Sequence, residues 1–136
     1  MNKAENLSDL KSSIGLLLLR LSFGGIMFFQ HGIPKLMKLL NGAPYKFADV
    51  FGLGTGLSLG LAVFSEAVCA LLLVIGLFTR WASLPLAVTM LIAAFLIHGS
   101  DPFGDKELAI LYLIAYLCIF LMGPGKYSID HRIGRK

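Results

Sequence analysis

Residues 20–35 read RLSFGGIMFFQHGIPK, and this stretch decides the fold because it places an arginine inside an apolar run. The run extends from Ile14 to Ile33, which is long enough to cross a bilayer as one helix. An arginine at the centre of such a helix costs roughly 2.5–3.5 kcal/mol on insertion scales. We therefore expect other helices to enclose Arg20 and to supply polar partners for it.

The composition is that of an integral membrane protein. Of the 136 residues, 57% are hydrophobic and only 15% are charged. Residues 1–136 are predicted to form a single transmembrane domain, without a block of soluble sequence for a separate catalytic unit. The first apolar segment is longer than the h-region of a signal peptide and lacks its cleavage pattern, so we expect a retained helix. The expected partner is the lipid bilayer, and no nucleic-acid motif is present.

Apolar runs separated by turn residues predict four membrane spans. They lie at about residues 14–33, 57–78, 82–97 and 107–122. The connection at 41–56 is rich in Gly, Pro, Asn and aromatic residues and is predicted to be an interfacial loop. Because the other connections are short, the sequence favours an all-α membrane protein built as an antiparallel four-transmembrane-helix bundle.

The distribution of basic residues predicts the orientation. Arg20 is left out of this count because it lies within a span. One side carries seven lysines and arginines, which are Lys3, Lys11, Arg80, Lys126, Arg132, Arg135 and Lys136. The other side carries four, which are Lys35, Lys38, Lys46 and Lys106. The positive-inside rule then places both termini and the Arg80 turn in the cytoplasm.

Two of the predicted spans carry charged residues in their interior. On a helix with about 100° per residue, Arg20, Gly24 and His31 share one face of the first span. Gly24 and its neighbour Gly25 would let another helix approach closely. Glu66 lies in the second span, at a predicted depth between Arg20 and His31. Since intramembrane charges are usually paired, we predict a buried ion pair between Arg20 and Glu66.

A second group of polar side chains is predicted at one mouth of the bundle. Gln30 and His31 lie near the end of the first span, His98 follows the third, and Glu107 begins the fourth. Alternating helix directions bring these ends together. Histidines and carboxylates can bind a metal, but neither HxxxH nor ExxH spacing occurs, so no metal site is predicted.

Each of these groups also has an ordinary structural interpretation. Arg20 can extend to the nearer interface, and His31 and His98 can be interfacial hydrogen-bonding residues. Glu66 can be neutral and bonded to a serine such as Ser22. The sequence leaves these alternatives open.

Three segments give the chain a resemblance to a known family. They are LLRLSFGGIMFFQHGIPKL in the first span, FSEAVCALLLVIGLFTRWASLPLA around Glu66 and Arg80, and GPGKYSIDHRIG after the last span. In this order the segments resemble the DoxX family of small four-helix proteins of the bacterial inner membrane. The namesake of that family is the small subunit of a thiosulfate:quinone oxidoreductase or terminal quinol oxidase. The resemblance implies that Arg20, His31, Glu66 and Arg80 occupy recurrent polar positions.

The main functional hypothesis is therefore a subunit associated with a membrane oxidoreductase. Arg20, His31 and Glu66 would form a polar pocket for a quinone, walled by Phe23, Met27, Phe28 and Phe64. The chain has no haem, flavin or iron–sulfur ligation pattern, so electrons would come from partner subunits, and no catalytic residue is assigned. The alternatives are a structural or assembly subunit, in which the charges fix helix register, and a small-solute or proton transporter. A homo-oligomer is a further candidate assembly.

Overall fold

The computed structural model describes the backbone of residues 3–134 and the side chains of residues 5–134, and all its regular elements are helices. The first helix begins at Lys3, and its candidate membrane span, Glu5–Leu40, is called α1. The others are α2 (Thr55–Ile75), α3 (Thr79–Ile97), α4 (Phe103–Met122) and the short α5 (Ile129–Arg132). Among them, α1, α2 and α3 are long and apolar enough to cross a membrane. Arg135 and Lys136, which were counted for orientation, lie outside the described residues.

The first helix is longer than the predicted span at both ends. It starts well before residue 14, and it continues through Pro34 to Leu40. A proline lacks the N–H that the helix ladder needs, but a wider π-helical turn, Phe28–Gly32, immediately precedes this part of α1 and changes the local bonding pattern. The extension matters because it carries Lys35 along the same helix as His31.

Four π-helical turns interrupt the long helices. They are Arg20–Gly24 and Phe28–Gly32 in α1, Phe64–Cys69 in α2, and Ala93–Ile97 in α3. Such wide turns often occur at functional sites because they redirect side chains away from the regular helical positions. Three of these four turns contain at least one of the polar residues selected from the sequence, namely Arg20 in the first, Gln30 and His31 in the second and Glu66 in the third.

Close contact between α1 and α2 depends on glycine. A Cβ atom on Gly32 would lie 2.8 Å from the Ala67 Cα and closer still to the Glu66 carbonyl oxygen. A Cβ on Gly24 would lie 3.0 Å from a methyl carbon of Val74, whereas a Cβ on Gly25 would meet nothing within 4 Å. Gly24 and Gly32 therefore lie at the α1–α2 contact, and Gly25 does not.

The helices separate into two pairs toward one end of the molecule. We call the end that carries residues 41–54 and 98–102 the loop end, and the end that carries residues 76–78 and 123–134 the tail end. At the loop end the last part of α1 packs on the first part of α2, and α3 packs on α4. Nearer the tail end α3 also packs on the second part of α2, around a core that includes Leu73, Leu86 and Tyr116. A gap consequently remains between the two pairs at the loop end.

Candidate functional site

The buried carboxylate of α2 is paired with a lysine of α1. Glu66 is only 2% exposed, and its carboxylate forms an ion pair with the Lys35 ammonium group. The predicted pairing of Glu66 with Arg20 is wrong. The depth estimate failed because α1 continues past Ile33, so that Gly32 contacts the Glu66 backbone and Lys35 reaches the carboxylate. The signal for Lys35 was its position four residues after His31, which places both on one helix face.

Arg20 serves the tail end of the molecule. Its side chain is 1% exposed and donates hydrogen bonds to four backbone carbonyls. Two acceptors, Leu73 (3.0 Å) and Val74 (3.3 Å), belong to the last turn of α2. The other two, Pro124 (2.6 Å) and Tyr127 (3.0 Å), belong to the C-terminal segment. Carbonyls in the last turn of a helix lack intrahelical partners, so the guanidinium group both caps α2 and holds the C-terminal segment against it.

Asp130 completes this tail-end network. Its carboxylate accepts hydrogen bonds from the backbone N–H groups of Phe78 (2.9 Å) and Thr79 (2.7 Å) at the start of α3. Its own N–H donates to the Gly76 carbonyl oxygen at 2.9 Å. Gly76 has a φ of 74° at the end of α2, and a Cβ there would collide with the Arg20 guanidinium. The network therefore has the geometry of a structural clasp, and sequence reasoning assigned no role to Asp130.

A large cavity occupies the gap between the helix pairs at the loop end. Its volume is about 800 Å³, and its wall is mainly apolar. The apolar lining includes Met27, Phe47, Phe51, Leu61, Phe64, Val88, Ile92 and Leu108. The polar lining consists of His31, Lys35, Ser58, Ser65, Glu66, Thr89, His98, Asp105 and Tyr112. The Glu66–Lys35 pair thus lies in the wall of an apolar chamber.

Two aromatic polar residues lie beside this ion pair. His31 lines the cavity together with Glu66 and Lys35, and its ring centre lies 6.3 Å from that of Tyr112. Within the described part of the chain, neither the His31 ring nor the Tyr112 hydroxyl has a hydrogen-bond partner. Both therefore remain available to a bound molecule. Tyr112 was not among the site residues predicted from the sequence. The signal for it was its position one helical turn before Tyr116, which is also buried.

The residues predicted at the mouth do not all converge. His31 and His98 line the same cavity, and the His98 Nδ1 lies 2.7 Å from the Asp101 carboxylate. Gln30 and Glu107 are exposed and do not line it. Because α4 begins at Phe103, the carboxylate that lines the cavity is Asp105.

The other predicted positions lie outside the cavity. Arg80 is exposed at the tail end, where its guanidinium lies 3.5 Å from the Leu121 carbonyl oxygen. Cys69 and Cys118 are both free thiols. In residues 5–134 no group of three or more His, Cys, Asp or Glu side chains could hold a metal ion.

Comparison with known proteins gives a consistent set of relatives. Residues 15–99 match the DoxX family. An uncharacterized protein of Haemophilus influenzae is 31% identical over 117 residues, covering 81% of this chain and 84% of that protein. A second uncharacterized protein from the same organism is 26% identical over 129 residues, covering 88% of this chain and 83% of that protein. An uncharacterized membrane protein of Mycobacterium tuberculosis is 28% identical over 126 residues, covering 82% of this chain and 77% of that protein. No solved structure matches the chain.

Proposed function

Because this chain belongs to the DoxX family of membrane proteins, we propose that it is a small subunit that binds a quinone or similar amphipathic ligand for a membrane oxidoreductase. The observation that carries the proposal is the buried Glu66–Lys35 pair in the wall of a largely apolar cavity of about 800 Å³. Ligand sites typically enclose about 300–1,000 Å³ and combine apolar walls with a few orienting polar groups. The size and lining of this cavity agree with that description.

The free-energy cost of placing ionisable side chains inside a membrane supports a binding role. Ionisable residues inside a membrane are expensive and usually mark sites for ions, protons or ligands. Here the carboxylate and the ammonium compensate each other, while His31 and Tyr112 keep free hydrogen-bonding capacity beside them. A purely structural pair would need neither an adjoining cavity nor these unpartnered groups.

The side chains suit a headgroup with carbonyl or hydroxyl oxygens. The Lys35 ammonium and the Tyr112 hydroxyl can donate hydrogen bonds to such oxygens, and Glu66 can hold a proton close to them. His31 can accept or donate according to its protonation state. A bound quinone would supply the redox chemistry, and this chain would orient it and exclude water, with electrons coming from a partner subunit.

We expect Glu66→Gln to weaken quinone binding by about tenfold or more, because it removes the carboxylate that orients the Lys35 ammonium group. A hydrogen bond from such a charged donor contributes about 1.5–3 kcal/mol. Lys35→Met should have a similar effect because it removes the main cationic donor. The matched control is Glu107→Gln, which changes an exposed carboxylate outside the cavity. The measurement is equilibrium binding of a short-chain quinone to purified protein, together with the ligand-induced shift in melting temperature.

The main alternative is a structural or assembly subunit without a ligand of its own. The tail-end network favours it, since Arg20 and Asp130 are used entirely to hold helix ends and the C-terminal segment. If quinones neither bind the wild-type protein nor raise its melting temperature, while the Lys35 and Glu66 variants lose only stability, the structural alternative is preferred.

We also propose that α4 crosses the membrane with α1–α3 as a four-helix bundle in the bacterial inner membrane, with both termini in the cytoplasm. The support is that α4 packs along α3 and is apolar from Leu108 to Met122. Only its first turn carries charge, at Asp105, Lys106 and Glu107.

Single cysteines will test this topology. In a background with Cys69→Ala and Cys118→Ala, we expect Lys46→Cys and Ser100→Cys to react with an impermeant maleimide applied outside intact cells. Arg132→Cys should react only after permeabilisation, because the two ends of α4 would then lie on opposite sides of the membrane. Labelling of positions 100 and 132 from the same side would contradict a fourth span, and complete reversal of the pattern would contradict the orientation.

A further inference from the structure

The cavity has an opening in the side of the molecule. Leu61, Phe64 and Val88 all line the cavity, yet they are 53%, 51% and 54% exposed on the molecular surface. A side chain that lines a cavity and is also half-exposed lies at its rim. These three residues, which we call the side portal, belong to α2 and α3, so one opening of the cavity lies between these two helices. Phe51 and Leu108, which also line the cavity and are 59% and 55% exposed, lie at its rim nearer the loop end.

Helix packing explains where the portal begins. The Ser65 and Thr89 hydroxyl oxygens lie 2.8 Å apart, which fixes a close crossing of α2 and α3. From this crossing toward the tail end the two helices stay packed, whereas toward the loop end α3 follows α4 and the start of α2 follows α1. The gap therefore widens from the Ser65–Thr89 crossing toward the loop end.

The polar and apolar parts of the cavity are arranged like an amphiphile. Glu66 is buried behind the portal beside Lys35, while the portal side chains are entirely apolar. Residues of the 41–54 loop, including Phe47 and Phe51, add apolar walls on the loop-end side. A polar headgroup suits the inner wall, and a hydrocarbon chain suits the rim.

An apolar groove between two membrane helices favours a hydrocarbon chain as its occupant. Helices in lipid associate through close van der Waals packing, and a void forfeits the dispersion contacts of the atoms that line it. The loop-end half of α2 and the facing part of α3 leave such a gap. A chain lying in the portal would restore these contacts.

We propose that the ligand carries a hydrocarbon tail, enters from the bilayer between α2 and α3, and leaves its tail in the side portal while its headgroup lies at Glu66 and Lys35. This inference rests on the proposed binding function and adds to it the position of the ligand's single tail and the route by which the ligand enters. A water-soluble substrate that arrives through the loop end does not need this portal.

The test compares two probes that share one headgroup. One is 2,3-dimethoxy-5-methyl-1,4-benzoquinone, and the other is the same quinone with a decyl tail. Val88→Trp narrows the portal, so we expect it to weaken binding of the tailed probe by about tenfold and to change binding of the tail-free probe by less than about twofold. Phe64→Ala widens the portal and should speed association of the tailed probe more than that of the tail-free probe.

The matched control is Val68→Trp. Val68 is also half-exposed on α2 but does not line the cavity, so this substitution should leave both affinities unchanged. The inference is overturned if Val88→Trp affects both probes equally, affects neither, or acts no more strongly than Val68→Trp.

The two proposals fail in different ways. If the tail-free probe binds in a Glu66-dependent manner while the tailed probe is insensitive to Val88→Trp, the portal fails and the proposed function stands. If neither probe binds the wild-type protein, the proposed function fails and the portal inference fails with it.

Discussion

Replacing Arg20 by methionine is expected to lower the free energy of unfolding by about 3–5 kcal/mol, because several buried carbonyls lose their hydrogen-bond donor at once. Methionine preserves much of the side-chain volume, so the effect isolates the loss of the guanidinium group. The substitution leaves the Leu73 and Pro124 carbonyls without this donor in the protein interior. We expect a large drop in the melting temperature of the detergent-purified protein and a loss of monodisperse material.

Arg20→Lys should recover only part of this stability. A lysine keeps the charge, but its single ammonium group cannot reach acceptors on both the end of α2 and the C-terminal segment with the fork geometry of a guanidinium. The matched control is Arg80→Met, because Arg80 is exposed and makes one long contact with Leu121. If Arg20→Met is no more destabilising than Arg80→Met, the clasp assigned to Arg20 is wrong.

The Gly32→Ala substitution is expected to cost about 1–3 kcal/mol or more, although alanine is ordinarily the better helix former. The added methyl group would overlap the backbone of Glu66 and Ala67. A flexible side chain could move aside, but backbone atoms within a helix cannot, so α1 and α2 must separate. Because Lys35 follows Gly32 by three residues, this separation should also disturb the ion pair with Glu66 and weaken ligand binding.

Gly25→Ala provides the control for Gly32→Ala on the same helix. A Cβ at Gly25 meets no atom within 4 Å, so only the intrinsic helix preference acts there. We expect Gly25→Ala to be neutral or to stabilise by up to about 1 kcal/mol. Melting temperatures and quinone affinities of the two variants, measured side by side, provide the comparison. Equal effects at the two positions would contradict the close contact between α1 and α2.

For the charged residues, the sequence predicted burial correctly but not the partners. The cost of charge inside an apolar helix identified Arg20 and Glu66 as residues that need partners, and both are buried and have polar partners. The assignment of partners failed because it depended on relative depth. Because α1 continues past Pro34, Lys35, which was counted outside the predicted spans, lies on the same helix as His31 and is the partner of Glu66.

The positions of the helices were predicted more accurately than the contacts between them. Apolar runs located α1, α2 and α3, since hydrophobic length is a property of consecutive residues. The π-helical turns, the close contact at Gly32 and the clasp at Asp130 depend on residues far apart in the chain. The spacing of apolar residues along the chain does not predict such contacts. For the same reason, the sequence could not show that Gly24 and not Gly25 lies at the α1–α2 contact.

Consecutive residues were sufficient to identify a helical membrane protein of the DoxX family whose buried charges require partners, because apolar length and the cost of charge in lipid act locally along the chain. The pairing of these groups, the role of Arg20 at the tail end, and the cavity that opens between α2 and α3 with Glu66 and Lys35 in its wall became visible in the folded chain. The physical reason is that pairing and cavity formation depend on where helices cross, and a shift of one helical turn changes every partner.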